Sequence, residues 1–510
     1  MCYIINIFVK YYHILFFWLR MKIRKCYRGG VVVSLFLALG FLNANAQNEK
    51  NEDTQLPSPI EGIPLSQTLP VCYVNAENGA AIVSKEEYLN AEIWIDPMGV
   101  EGVEAFGSKE TPITTEIRGR GNSSWTDFGK KPYKIKLNKK GTPFGFPKSK
   151  HFALLAHAPT QAYFAGETAY QLARLIGLGW VPRSFPVELV LNGINIGVYA
   201  FSESVRIDDG RVEIDEQPEN NTDQATIPYG WLVEIDNSVD TPQILVPQTL
   251  DNNPNAYTSR FTIKAPEVMS QEQETWITDQ LTTLTHQILS PDKNNAAWTD
   301  MTDIEMLAKY YIVQELSGNY DAFVGSTYFY KGSGDKWIFG PIWDSEWTFV
   351  TDVRTGHIWE ERIALTGEDK VNFTWIKELI KFPAFKNEVR RVWNDFYTGQ
   401  FSGIYAFVDD FYNLTRKGYE MNDKIWPDYI SIDIHTTYNR LKACIPEYAE
   451  WFDKMVNSPE FSGVDDVEAG VDCCPTWYTI QGVRLDSRPS SPGIYIEQTA
   501  GGSRKVLIRP

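Results

Sequence analysis

From Leu69 the chain breaks into short apolar runs separated by turn residues: LPVCYVN, AAIVS, AEIWID and TPITTEIRGRG. Runs of this length and texture predict strands. The clearest is KKPYKIKL at 130–137, where Tyr133, Ile135 and Leu137 fall on one face and Lys134 and Lys136 on the other. FPVELVLNG and INIGVYAFSE predict two strands joined at Asn192-Gly193, a pair suited to a type I′ hairpin. IPYGWLVEID, at 227–236, predicts another. Among these runs, FAGETAYQLARLIGL at 164–178 has helical periodicity instead.

Downstream the period changes. Residues 268–316 read as helix: SQEQETWITDQLTTLTHQIL opens with the Ser-x-x-Gln pattern of a capping box, and TDIEMLAKYYIVQELSG ends on a glycine stop. Residues 318–347, GNYDAFVGSTYFYKGSGDKWIFGPIWDSEW, then place two strand-like runs around a Gly-rich turn. FPAFKNEVRRVWNDFYTG, GIYAFVDDFYNLTRKGYEMN and a run to about Phe452 are helical again. Sheet comes first and helix last over 110–455, with no βαβ period, which predicts an α+β fold. Residues 69–109 read as a β-rich segment ahead of that domain. GVDDVEAGVD is an acidic linker, and WYTIQGVRLD, SPGIYIEQ and SRKVLIRP predict a small β-module over 463–510.

The first 46 residues have a different texture. They hold six Lys or Arg and no acid. A basic stretch begins at Met21, an apolar run spans Val31 to Leu42, and Ala44-Asn45-Ala46 fits a cleavage site. This predicts a signal peptide from Met21 and a mature start at Gln47, with residues 1–20 an upstream extension. An uncleaved anchor is the alternative. Residues 47–68 are polar and proline-bearing, as in a flexible leader. The expected product is exported: periplasmic, surface-associated or secreted, with no stable membrane span after cleavage.

Charge and cysteines narrow the chemistry. Removing six basic residues and no acid takes the formal charge from −17 to −23, which argues against nucleic acid as a partner. Cys72, Cys444, Cys473 and Cys474 remain, and none has zinc spacing. No Walker A, GxSxG or HExxH sequence occurs, and the six His are scattered. The 16 Trp suit either a core or aromatic platforms.

Two constellations stand out. In RGRGNSSWTDFGKKPYKIKL, 118–137, Gly119, Gly121, Asn122, Ser123 and Ser124 form a tight turn ahead of a strand bearing Lys134 and Lys136. A Gly-rich turn and a strand lysine can hold a nucleotide's phosphates, and the same residues also make an ordinary turn with solvated lysines. In the second, Asp321 and Ser326 are five apart and Asp344 follows a strand. The spacing matches the base and metal positions of kinase catalytic loops, though acids at hairpin ends also cap turns.

The ordered set RGRGNSSW, KKPYKIKL, VELVLNGINIGVYAFSE, ELSGNYDAFVGSTYFYK, WIFGPIWDSEW and MNDKIWP resembles the CotH kinase family of exported or spore-coat atypical protein kinases, over roughly 110–455. The resemblance implies a distant protein-kinase-like fold that binds ATP with Mg or Mn and phosphorylates Ser/Thr hydroxyls of a protein substrate. It implies Asp321 as the catalytic base and Asp344 as a metal ligand. Lys134 or Lys136, with slight preference for Lys136, would meet the phosphates, and Arg118 and Asn122 would support the turn. Glu203 is implied as a nucleotide-contacting or structural acid. The chain departs from the family at Ser326, where many relatives have Asn, and at Glu346, where many have a second Asp. Both stay in the implied metal set. LLAHAPTQAYFAGETAYQLARL also lacks the charged stretch usual after LLA. The C-terminal strands resemble sorting tails of exported Bacteroidetes-like proteins. The alternative reading is a retired kinase fold that binds glycan or protein at a surface, and another nucleotide-transfer chemistry at the same site is a third.

Overall fold

Residues 71–203 close a sheet on itself. The computed structural model describes residues 56–157, 165–236, 242–251, 253, 256–349, 351–352, 357–358, 375–429, 433–462, 465–466, 476–480, 483–485, 487–499 and 502–509. Seven strands form the barrel: β1 (Val71–Ala76), β2 (Leu89–Asp96), β3 (Ile113–Gly119), β4 (Tyr133–Gly141), β5 (Ser149–Leu155), β6 (Ser184–Leu191) and β7 (Ile194–Glu203). They run in the order β1-β2-β3-β4-β5-β7-β6, and a parallel β1–β6 pairing, Val71 opposite Glu188, closes the ring. The alternation in β4 is obeyed: Tyr133, Ile135 and Leu137 are buried in the barrel core with Phe152, Leu189 and Phe201. Asn192 and Gly193 both have positive φ, 51° and 85°, at the β6–β7 turn.

A second sheet follows, built from β8 (Trp231–Ile235), β9 (Gln243–Pro247), β10 (Thr258–Ala265), β11 (Thr327–Lys331) and β12 (Ile338–Phe339), in the order β12-β11-β8-β10-β9. Its apolar side chains join one large core with the helices α1 (Ala165–Leu175), α2 (Gln271–Ile288), α3 (Ile304–Ser317), α4 (Pro383–Thr398), α5 (Gly403–Ile425) and α6 (Ile434–Val456). The predicted capping box forms: Ser270 and Gln273 exchange bonds at the start of α2. Asp303 caps α3, and Gly318, at φ 65°, ends it. Trp231, Trp298, Trp337 and Trp393 are fully buried, so these four tryptophans are core, each side chain contributing roughly 1.5–3 kcal/mol or more by burial.

The expected α+β class holds. The closed barrel is not specific to kinases, so the architecture alone gives nothing narrower. Three differences from the sequence reading matter. Residues 69–109 are no separate segment, because β1 and β2 share the barrel and its core with β3–β7. AAIVS, 80–84, is irregular rather than a strand. Strands β5, β9 and β10 were not anticipated, and β5 is needed to close the ring. The C-terminal strands pair with one another: Trp477 sits opposite Glu497, and Tyr495 opposite Val506. The proposed leader and cleavage site, and Cys473 and Cys474, lie outside the described residues. Among the described residues, no helix is long and apolar enough to cross a membrane.

Candidate active site

The acids gather at the open end of the β11–β12 hairpin. Phe329 pairs with Phe339 and Tyr330 with Ile338, so the segments flanking the hairpin emerge side by side. Ser326 Oγ donates to Asp344 Oδ2 at 3.2 Å across that end. Asp321 lies five residues up the same loop, where its carbonyl accepts from Val324 and Gly325 N–H at 3.0 and 2.8 Å. Asn319 Oδ1 accepts from the Asp321 amide at 3.2 Å, and its own amide donates to Gln314 at the end of α3. Phe349 N–H donates to Ser317 O at 2.7 Å, tying the segment after Glu346 to that helix end.

The backbone here is unusual for L-residues. His157, Phe323, Ser326, Asp344 and Phe349 all have φ between 46° and 64°. Each such residue costs of order 1 kcal/mol or more, and a cluster of them persists only where the surroundings over-determine it. The loops carrying Ser326 and Asp344 are therefore fixed rather than slack.

A narrow cleft joins Asp344, Ser345 and Glu346 to Arg120, His157 and Tyr170. Burial and the Asp344 charge push the Glu346 carboxyl above the usual range, while Arg120 and a bond from the His157 amide oppose the rise. His157 Nδ1 is 4.0 Å from Glu346 Oε1, too far for a hydrogen bond. Burial, with Lys130 nearby, lowers the His157 pKa to about 3, so it is a neutral ring at pH 7. Ser345 Oγ and His157 Nδ1 are buried without hydrogen-bond partners. Among the described residues, no group of three His, Cys, Asp or Glu is gathered as a ready metal cage. Two carboxylates suffice for magnesium only when phosphate oxygens complete its shell.

The basic side lies on the outer face of the barrel. Arg118 on β3 is registered against Lys134 on β4, one step from the Glu116–Lys136 pair. Burial lowers the Lys134 pKa to about 8, helped by the fields of Arg118, Arg206, Arg120 and Lys264. Burial and the charges of Arg206, Lys134 and Arg211 likewise hold His151 near 3, hence neutral. Arg118 Nε and Arg206 Nε are buried with no hydrogen-bond partner. Mutually repelling, unsatisfied cations on a partly desolvated face are what a polyphosphate would relieve.

The remaining expectations separate. Lys136 is half-exposed and paired with Glu116 at 2.8 Å, while Lys134 is the more buried of the two. Asn122 is exposed, accepting from Lys85 Nζ at 3.4 Å while its carbonyl starts the helical turn 123–126. Glu203 does not face the cleft. It is fully buried, accepts from Arg183 N and Nε at 2.9 and 3.0 Å, and lies 3.6 Å from Arg211 Nε. Arg211 in turn donates to Ser204 O and His151 O, so this buried acid anchors the loop that carries Arg206.

The profile of the family described as CotH kinase protein matches residues 117–454, which holds Arg118, Arg120, Lys134, Asp321, Asp344 and Glu346. The chain belongs to the CotH kinase family. The matched region omits β1, β2 and the C-terminal sheet, although β1 and β2 complete the barrel. No curated protein matches the chain significantly.

Some charged residues in and around this family member's cleft escaped the sequence reading. Arg120 lay in plain view inside RGRGNSSW. Lys130 looked like one more surface lysine, yet it is buried, donating to Val198 O at 2.6 Å and Asn422 Oδ1 at 2.8 Å. Its neighbour Pro132 and the apolar strand beyond were the available hint. Arg206 and Lys264 carry no local signal, because only long-range pairing brings them to Lys134. Glu234, on β8, is 3.2 Å from Lys264, and burial raises its pKa to about 7.

Proposed function

We propose that this protein is a metal-dependent protein kinase, transferring the γ-phosphoryl group of ATP to Ser or Thr hydroxyls of a protein. The observation that carries this reading is one juxtaposition: Arg120 lines the cleft with Asp344 and Glu346 and directly follows β3, whose Arg118 is registered against Lys134. A cation cluster beside a carboxylate pair suits a triphosphate whose charge is shared between side chains and a divalent cation. Family membership supports the same class.

In this reading Lys134, Arg118, Arg206 and Lys264 bind the phosphates, and the orphaned guanidinium nitrogens supply donors aimed at them. Asp344 and Glu346 would hold magnesium or manganese, with Ser326 orienting Asp344 by its hydrogen bond. A cation bound there supplies charge neutralisation across the phosphates. Asp321 accepts the proton of the acceptor hydroxyl. The kinase-like resemblance then lies in the order base, hairpin, metal acid, rather than in the barrel. Export is part of the proposal, supported by the basic stretch, apolar run and Ala44-Asn45-Ala46 of the leader.

The test is incubation of the purified protein with labelled ATP and Mg or Mn, alongside Asp321→Asn and Asp344→Asn. Label incorporated by wild type only, with the mass of a phosphate, is the expected result. Addition of a nucleotide monophosphate would indicate adenylyl transfer instead. Nucleotide binding without any transfer would favour a retired kinase fold, and no binding with either metal would overturn the proposal.

A further inference from the structure

We propose that Arg120 is a further catalytic residue, its guanidinium contacting the transferred phosphoryl group between the lysine cluster and the acids; this rests on the kinase reading above. Three observations carry it. First, Arg120 is the only Lys or Arg lining the cleft with Asp344, Ser345 and Glu346 among the described residues, and the cleft's histidine is neutral. Second, its placement is fixed from two sides. Its amide donates to Pro132 O at 3.2 Å, and its guanidinium lies over the Trp343 ring, 5.5 Å from the centroid. Trp343 immediately precedes Asp344, so the stack couples the arginine to the loop that carries the acid. Third, it follows β3 directly, two residues after Arg118, which is registered against Lys134, so it stands between that cluster and the acids whose cleft it lines.

The chemistry needs a group at that point. In the transfer, the bond from the γ-phosphorus to the bridging oxygen of the β-phosphate breaks, and ADP leaves with its electron pair. A bond forms to the acceptor hydroxyl oxygen, whose proton passes to Asp321. Charge on the equatorial oxygens and the leaving oxygen changes during this exchange. A preorganised planar donor stabilises it without reorganising. Arginine suits the position better than lysine, because it stacks on an indole while its edge presents paired N–H groups.

The test uses the full chain, with ATP binding measured separately from turnover. Arg120→Ala is expected to lower kcat by about 10³-fold while ATP affinity, by calorimetry with Mn, stays within about threefold. Added guanidinium ion should raise the rate of Arg120→Ala but not of wild type, a response that a purely structural clamp would not give. Arg120→Lys, which keeps the charge and the fold, should still lose at least about tenfold in kcat. The proposal is overturned if Arg120→Ala or Arg120→Lys turns over at the wild-type rate. It is also overturned if binding and turnover fall together with no guanidinium rescue. Wild-type protein that transfers no phosphate would sink the kinase reading, and this one with it. Active wild type with an equally active variant sinks this one alone.

Discussion

Single residues here are read best by what buries them. Lys130 has about 3% of its surface exposed, and burial lowers its pKa to about 7, against the pull of Asp423 and Glu346. The sign follows from proton counting. Between about pH 7 and 10.4 the unfolded chain holds a proton on this amine and the folded protein does not, so folding stability rises with pH. Lys130→Met removes the group. The stability of wild type minus that of the variant should therefore climb between pH 7 and 10, by up to about 1.4 kcal/mol per unit, in urea melts. A flat difference would mean the amine stays charged inside the fold. The positions of Asp321 and Asp344 on the hairpin and of Lys134 on its strand follow from local order, but spacing alone left them readable as turn caps and solvated lysines, and their roles came only from the resemblance of the ordered motifs. The state of Lys130 was not, since its two acceptors come from β7 and from α5, far along the chain. Which of the two roles open to Glu203 it takes, nucleotide-contacting or structural, was hidden for the same reason: its partners Arg183 and Arg211 lie outside its own strand.

Elements translate those residues into a site. The turn after β3 brings Arg120 round, and it depends on Gly121, whose φ is 85° and where a Cβ would run into Ser124 Oγ. Gly334, in the β11–β12 turn, has neither constraint: nothing lies within 4 Å of a Cβ there. Gly121→Ala should then destabilise the protein by roughly 1–3 kcal/mol and lower the rate of phosphate transfer, while Gly334→Ala stays within about 0.5 kcal/mol. Thermal melts and turnover of the two variants check this, and equal behaviour would mean the turn is free to relax. The strands and long helices of this fold were readable because each carries its own period. The ring was not readable. Closure requires the parallel β1–β6 pairing and the unremarked strand β5, and neither leaves a mark on its own segment. Likewise β10 brings Lys264 near Lys134 only through a sheet order that jumps along the chain.

At the scale of the whole molecule, the question is which parts the site requires. The barrel carries Arg118 and Lys134, the hairpin of the second sheet carries the acids and β10 carries Lys264, and the helices share that sheet's core. Phe452 and Val456 at the end of α6 are fully buried in that common core, and the family match stops at 454. The strands β13 (Asp465–Asp466), β14 (Thr476–Thr479), β15 (Arg484–Leu485), β16 (Gly493–Thr499) and β17 (Gly502–Ile508) pair only with one another among the described residues. They also bring none of the charged groups placed in the cleft. A protein ending at Ser462 should accordingly keep a cooperative melt within a few degrees of the full chain, since a loss of 1 kcal/mol moves Tm by only about 2–4 °C even in a 150–250-residue domain. It should also keep ATP binding and transfer. Ending instead at Ile445 would strip Tyr448, Phe452 and Val456 from the core, and that protein should not fold. The two truncations together separate the outcomes. If the Ser462 protein loses its melt as well, the C-terminal sheet is part of the folding unit. If it melts normally but no longer transfers phosphate, the sheet positions substrate. If it does both, the sheet serves something other than chemistry, as the proposed export would allow.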